Sequence, residues 1–130
     1  MPEDAIARVV VQRALDIHRE VGPGLLESVY EALLADLLRE DGLVVERQKC
    51  IPIRFRGKRF DEGFRSDLLV NDRVLVELKS VGTLARVHRK QVLTYLRLAN
   101  LRLGLLINFG GELLKGNIER LVNGFDEGAT

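Results

Sequence analysis

Glu77 and Lys79 interrupt an otherwise apolar stretch, RVLVELKSV at residues 73–81. A strand alternates its faces, so these two charges point the same way as Leu75 and Val81, while Val74, Val76 and Leu78 fill the other face. Apolar residues on both faces predict a central strand covered on both sides. Burying a carboxylate and an ammonium there costs on the order of several kcal/mol per ion unless something compensates. Asp67, in FRSDLLV, lies near the end of the preceding strand. A tight turn at Asn71-Asp72 folds one strand back on the other and sets Asp67 beside Glu77, with Lys79 one pleat further on. Two carboxylates at such range repel unless a cation lies between them. A hard divalent ion such as Mg²⁺ or Mn²⁺ takes one or two carboxylates and completes its shell with water and phosphate. Lys79 then gains a role, orienting or deprotonating a water or steadying a phosphate oxygen. The bland alternative is a buried ion pair that closes on itself.

Two helices carry further candidates. After the strand comes VHRKQVLTYLRL, where His88, Gln91 and Tyr95 fall at i, i+3 and i+7 on one stripe, among Val87, Val92 and Leu96. Polar groups so aligned can face the Glu77 side of the sheet, or His88 can lie in solvent and Tyr95 at the core edge with a wet hydroxyl. Near the N-terminus, GPGLLESVYEAL places Glu27 and Tyr30 at i and i+3 at the start of a helix. Glu27 there either compensates the helix dipole or supplies a third carboxylate to the cation. His18 reads as a surface residue.

The elements that must position these residues follow from the hydrophobic period. Ile6, Val9, Val10, Leu15 and Ile17 predict a first helix that stops at Gly22-Pro23-Gly24, and a second runs from about Leu26 to Asp41. Residues 44–55 and 59–71 predict two strands joined at the turn RGK, followed by the strand 73–80. A helix from about Leu84 to Asn100 leads into a buried strand, LRLGLLINF at 101–109; LLKGNIERLV reads equally as a short strand or a helical turn. The expected class is α/β, a mixed central sheet flanked by helices, in a single domain spanning residues 1–130.

Composition narrows the function. Trp is absent and aromatics make up 5%, which argues against a stacking platform for single strands. One cysteine, Cys50, excludes an internal disulfide and a cysteine-based zinc site. No apolar run reaches membrane-spanning length and no leader pattern opens the chain, so the expectation is no membrane association and a cytoplasmic location. The net charge of +1 conceals a basic middle: residues 46–102 hold fourteen Lys/Arg against six Asp/Glu, densest in RFRGKRF at 54–60. That suits a polyanionic partner, or a solvated hairpin.

Taken together, these motifs resemble a known family. Gly24-Leu25-Leu26-Glu27-Ser28-Val29-Tyr30 is similar to the pattern that names the GxxExxY protein family. Asp67 followed by Glu77-Leu78-Lys79 resembles the signature of the PD-(D/E)XK nuclease superfamily. Gln91-Val92-Leu93-Thr94-Tyr95 resembles the Gln-x-x-x-Tyr motif of its RecB-like exonuclease branch. The similarity runs from about Ala5 to Val122, and Ser66 stands where the pattern usually has Pro. The resemblance implies a restriction-endonuclease-like core of helix, three-stranded meander, helix and strand. It also implies Mg²⁺- or Mn²⁺-dependent hydrolysis of phosphodiester bonds in nucleic acid, DNA ahead of RNA. A chain this short would grip a duplex better as a homodimer. On this reading Asp67, Glu77, the Leu78 carbonyl and Glu27 hold the metal, Lys79 positions water, and Gln91 and Tyr95 orient ligands or DNA. Two alternatives stand beside it: a non-catalytic nucleic-acid- or protein-binding domain that retains the nuclease fold, and a structural role in which the charges only set sheet register.

Overall fold

A computed structural model describes residues 1–124. Two helices open the chain, α1 at Glu3–Val21 and α2 at Glu27–Glu40. The strands β1 (Val45–Phe55), β2 (Lys58–Val70) and β3 (Val74–Lys79) follow, then helix α3 (Arg86–Ala99) and the strands β4 (Leu103–Asn108) and β5 (Ile118–Val122). They form one five-stranded sheet in the order β1-β2-β3-β4-β5. Only β3 and β4 are parallel; α3 provides the crossover between them, and every other neighbouring pair is antiparallel. The expected α/β class with a mixed sheet and flanking helices is what the chain adopts. The ambiguous segment LLKGNIERLV resolves as the edge strand β5, paired to β4 from Leu103–Val122 to Ile107–Ile118. No helix among the described residues is long and apolar enough to cross a membrane.

Both hairpin turns use left-handed backbone. Arg56 and Gly57 (φ 53° and 77°) join β1 to β2, and Asn71 and Asp72 (φ 52° and 55°) join β2 to β3. Asn71 tolerates this conformation and also uses its side chain, accepting the Val44 N–H at 2.8 Å.

The sheet has a core on each face. On one, Ile6, Val10, Ala14 and Ile17 of α1 and Leu34 and Leu38 of α2 pack on Val74, Val76, Leu78, Leu105 and Ile107. On the other, Val92 and Leu96 of α3 pack on Leu69, Leu75 and Leu106. The second layer sits close because residue 104 is glycine: a Cβ there would lie 2.9 Å from Val92 Cγ1 and 3.3 Å from two Leu96 methyls. β3 is therefore covered on both sides, as its apolar pattern predicts.

Two residues depart from expectation. His18 is buried rather than on the surface, with its Nε2–H donating to the Gly111 carbonyl at 2.9 Å beside Phe109. Its turn of α1 faces the sheet, because Ala14 and Ile17 precede it on the same stripe. Tyr30, three residues after Glu27, turns into the core. It is fully buried, stacked on Phe109 with centroids 4.3 Å apart, and its hydroxyl donates to the Gly22 carbonyl at 2.6 Å while accepting the Leu25 N–H at 3.2 Å. Tyr30 thus ties down the loop Gly22–Leu25 that presents Leu26 and Glu27. Tyr30→Phe keeps the ring stack and removes the partner of two part-buried backbone groups. It should lower stability by about 1–2 kcal/mol, measured as a lower urea midpoint with unchanged slope.

Candidate active site

The site forms where the sheet divides. β1 and β2 pair along a long hairpin, but β2 pairs with β3 only over Leu68–Val70 against Val74–Val76. Beyond Leu68 and Val76 the two strands part. The first residues past that point are Asp67 and Glu77, and their side chains replace the missing ladder. Glu77 Oε2 accepts the Asp67 N–H at 3.0 Å, and Asp67 Oδ2 accepts the Leu78 N–H at 2.8 Å. Each carboxylate therefore satisfies a backbone amide of the opposite strand, and the two acidic groups are held side by side.

Burial and mutual repulsion shape their charge. Glu77 is only 5% exposed. Burial first, and the neighbouring Asp67 carboxylate second, push its carboxyl from 4.5 up to about 8, against the pull of Lys79. Burial also raises Asp67, while the Leu78 N–H and Gln48 hold it down in part. Lys79 is half-buried on the same face, and its field reaches both carboxylates. It makes no direct ion pair among the described residues.

A second carboxylate network, which the sequence motifs did not point to, supports Asp67 from behind. Glu31 of α2 is 5% exposed and accepts Arg47 Nε at 2.9 Å and Gln48 Nε2 at 2.7 Å. The same Gln48 amide donates to Asp67 Oδ1 at 3.2 Å. Gln48 adopts φ 52°, a left-handed conformation unusual for a side chain of its size, and that turns it toward both acids. Glu31 was detectable by the logic that singles out Glu77: it interrupts the buried stripe Tyr30, Leu34, Ala35 and Leu38 of α2.

The remaining candidates divide. Tyr95 joins the site: it is half-buried, stacks on Phe64 with centroids 3.9 Å apart, and burial together with Glu77 and Asp67 raises its hydroxyl. Glu27 does not reach the pair. Its Oε2 accepts the Ser80 N–H at 3.3 Å, and it lines a cavity of ≈ 670 Å³ with Leu25, Leu26, Ser80, Val81 and Gly82. The reason is helical pitch. Glu27 is the first residue of α2 and stands level with the end of β3, whereas Glu31, one turn on, is the α2 carboxylate whose charge reaches both Asp67 and Glu77. Gln91 is exposed, and His88 is committed to its own helix, its Nδ1 accepting the Ala85 N–H at 3.0 Å. Val87, expected on the packed stripe, is 64% exposed, because α3 buries only Val92 and Leu96.

The donor set suits a hard cation. The acids at the fork offer oxygen alone, Cys50 is exposed elsewhere, and both histidines are engaged with backbone. Among the described residues no group of three or more His, Cys, Asp or Glu is arranged to hold a metal. The protein supplies a carboxylate pair, which leaves other positions to backbone, water and substrate, as a magnesium-type ion requires.

The raised Glu77 has a measurable consequence. Its folded value lies near 8 against 4.5 in the unfolded chain, so the fold binds this proton more tightly. The resulting stability is complete below the unfolded value and is lost as pH rises through the folded one. The metal-free protein should therefore melt at progressively lower temperature between about pH 5 and pH 9, and Glu77→Gln, neutral throughout, should flatten that slope. Thermal scans of both forms in chelator test this. Parallel slopes would mean that Glu77 titrates normally.

Searches of curated proteins and of solved structures found no match. A family model does match, over residues 4–121, and those residues hold the fork, its two carboxylates, Lys79 and nearly all of the elements described above. The chain belongs to the PD-(D/E)XK nuclease superfamily.

Proposed function

We propose that the protein hydrolyses phosphodiester bonds of nucleic acid with Mg²⁺ or Mn²⁺. The observation that carries this reading is the meeting of Asp67 and Glu77 at the fork, with Lys79 on the same face and, among the described residues, no ion pair to cancel them. The pair, with the Leu78 carbonyl as a further donor, would hold the ion. Bound there, it would polarise the phosphoryl group and make water a better nucleophile.

The chain's own groups do the rest. Asp67 and Glu77 are locked by amides of opposing strands, so the donor oxygens are oriented before anything binds. Lys79 supplies a mobile positive charge that holds a phosphate oxygen and aligns a water for attack. Tyr95, whose hydroxyl keeps its proton beside two acids, donates a hydrogen bond to the substrate. Exposed Gln91, one turn earlier on α3, reaches for the same strand. Glu27 belongs to the rim of the adjoining cavity, where it fixes the Ser80 amide next to Lys79.

Within the superfamily, GLLESVY at 24–30 and QVLTY at 91–95 support the GxxExxY family and the RecB-like branch. The commitment of Glu27 to Ser80 favours one alternative, a nucleic-acid-binding domain that keeps the fold without turnover.

Variants at the fork separate the two. An ammonium is not a ligand to a cation, so Lys79→Ala should leave Mg²⁺ and Mn²⁺ affinity intact while cleavage falls by roughly 10²-fold. Asp67→Asn removes a charged ligand and should weaken metal binding and cleavage together. Calorimetry and a labelled oligonucleotide give both readouts. Equal, metal-independent cleavage by all three proteins would hand the lead to the binding domain.

A further inference from the structure

The hairpin tip carries charge that the fork does not use. Arg54 and Arg59 are direct cross-strand partners on β1 and β2. Their Cβ atoms thus stand roughly 5 Å apart on one face, where like charges destabilise a hairpin. Arg97, from the last turn of α3, lines the same cavity of ≈ 500 Å³, whose walls include Pro52, Ile53 and Leu98. Compensation is thin. Arg59 pairs with Asp61 at 2.9 Å, an acid whose side chain is 84% exposed, and exposed pairs of this kind contribute little. Arg97 reaches only the Thr94 hydroxyl, at 3.3 Å. Arg54 has no polar partner among the described residues. α3 itself, RVHRKQVLTYLRLA, contains no acid that could offset its cations along the helix. Two elements that each tolerate unbalanced positive charge converge on one cleft, and an external anion resolves the imbalance.

We propose that this cleft, between the hairpin tip and the C-terminal end of α3, grips the phosphodiester backbone of a nucleic acid at a distance from the carboxylates. It rests on the hydrolase reading above for the identity of the polyanion. Guanidinium forks match phosphate oxygens in bidentate fashion. Both elements also lead back to the fork, α3 through Tyr95 and β2 through Phe64 and Asp67. That continuity favours nucleic acid over an acidic peptide. Arg59 and Asp67 are eight residues apart on β2, at most about 26 Å at ~3.3 Å per residue. One strand of a duplex covers that span in roughly eight steps at ~3.4 Å each. A duplex of about eight base pairs or more is therefore long enough to occupy fork and cleft together.

The test is metal-free binding, read by fluorescence anisotropy of labelled 20-base-pair DNA and RNA duplexes across a salt series in chelator. Wild type should bind with a steep salt dependence. Arg54→Ala/Arg97→Ala should weaken binding about tenfold or more and lessen the log–log salt slope by about two, one for each phosphate no longer neutralised. Arg54→Lys/Arg97→Lys should recover most of the slope, and melting temperatures should show that every variant is folded. Arg8→Ala, on α1 across the sheet, should change neither affinity nor slope. An unchanged slope in the double alanine variant, no binding by wild type, or displacement of the duplex by polyglutamate as readily as by unlabelled duplex would each overturn the cleft. Cleavage with Mg²⁺ decides the other question separately. Salt-dependent binding through these arginines without cleavage keeps the cleft and removes the hydrolase, and cleavage with an unchanged slope does the reverse.

Discussion

Two backbone amides near the centre of this sheet have no backbone acceptor. Where β2 turns away from β3, the N–H groups of Asp67 and Leu78 are left without ladder partners, and a buried amide without an acceptor is expensive. The acceptors are carboxylates, each from the opposing strand: Glu77 takes the Asp67 N–H and Asp67 takes the Leu78 N–H. The division of the sheet and the pairing of two acids are thus one feature. Asparagine and glutamine could satisfy the same amides without forcing two negative charges together. The acids therefore exceed what the fold requires, and burial together with the neighbouring Asp67 holds the Glu77 carboxyl well above its ordinary value.

The excess is contained by layers around the fork. Glu31 would add a third negative charge, but Arg47 and Gln48 take both its oxygens, and the Gln48 amide extends the network to Asp67. This leaves Asp67 Oδ2 on the Leu78 amide and Oδ1 on a neutral donor, so nothing neutralises the pair directly. Lys79 comes closest to doing so, yet it stays out of ion-pair range. A self-contained buried salt bridge would have collapsed onto the lysine. Separation of the ammonium from the carboxylates is what distinguishes this arrangement from the purely structural explanation of RVLVELKSV.

Much of this was legible in the sequence, for identifiable reasons. The alternation of Val74 to Lys79 and the Asn71-Asp72 turn determine face and register, and those two facts bring Asp67 beside Glu77. Helix spacing was a weaker guide. It grouped Glu27 with Tyr30, but three residues along a helix is also a rotation of about 300° and a rise of about 4.5 Å, enough to send Tyr30 into the core under Gly22 and leave Glu27 at the rim. Gln48, through which Glu31 reaches Asp67, was hidden for a different reason. The contact between the two joins α2 to β1 across a β2 register that skips Gln48, and a left-handed glutamine in a strand has no local sequence signal.

The height of α3 above the fork is set elsewhere, on β4. Tyr95 precedes Leu96 in the helix, and Leu96 rests over Gly104 with no room for a methyl group between them. The ring of Tyr95 is then pressed flat on Phe64, three residues from Asp67 on β2, which closes one side of the fork with an aromatic pair. Phe64 in turn belongs to the part of β2 that has left β3 and is held to β1 alone, opposite Ile51. The stack therefore joins the diverging hairpin to the crossover helix. It adds a side-chain restraint on the diverging part of β2 beyond the carboxylate–amide bonds. A glycine on one strand, a ring stack between strand and helix and the forked hairpin together hold the two carboxyl groups in place.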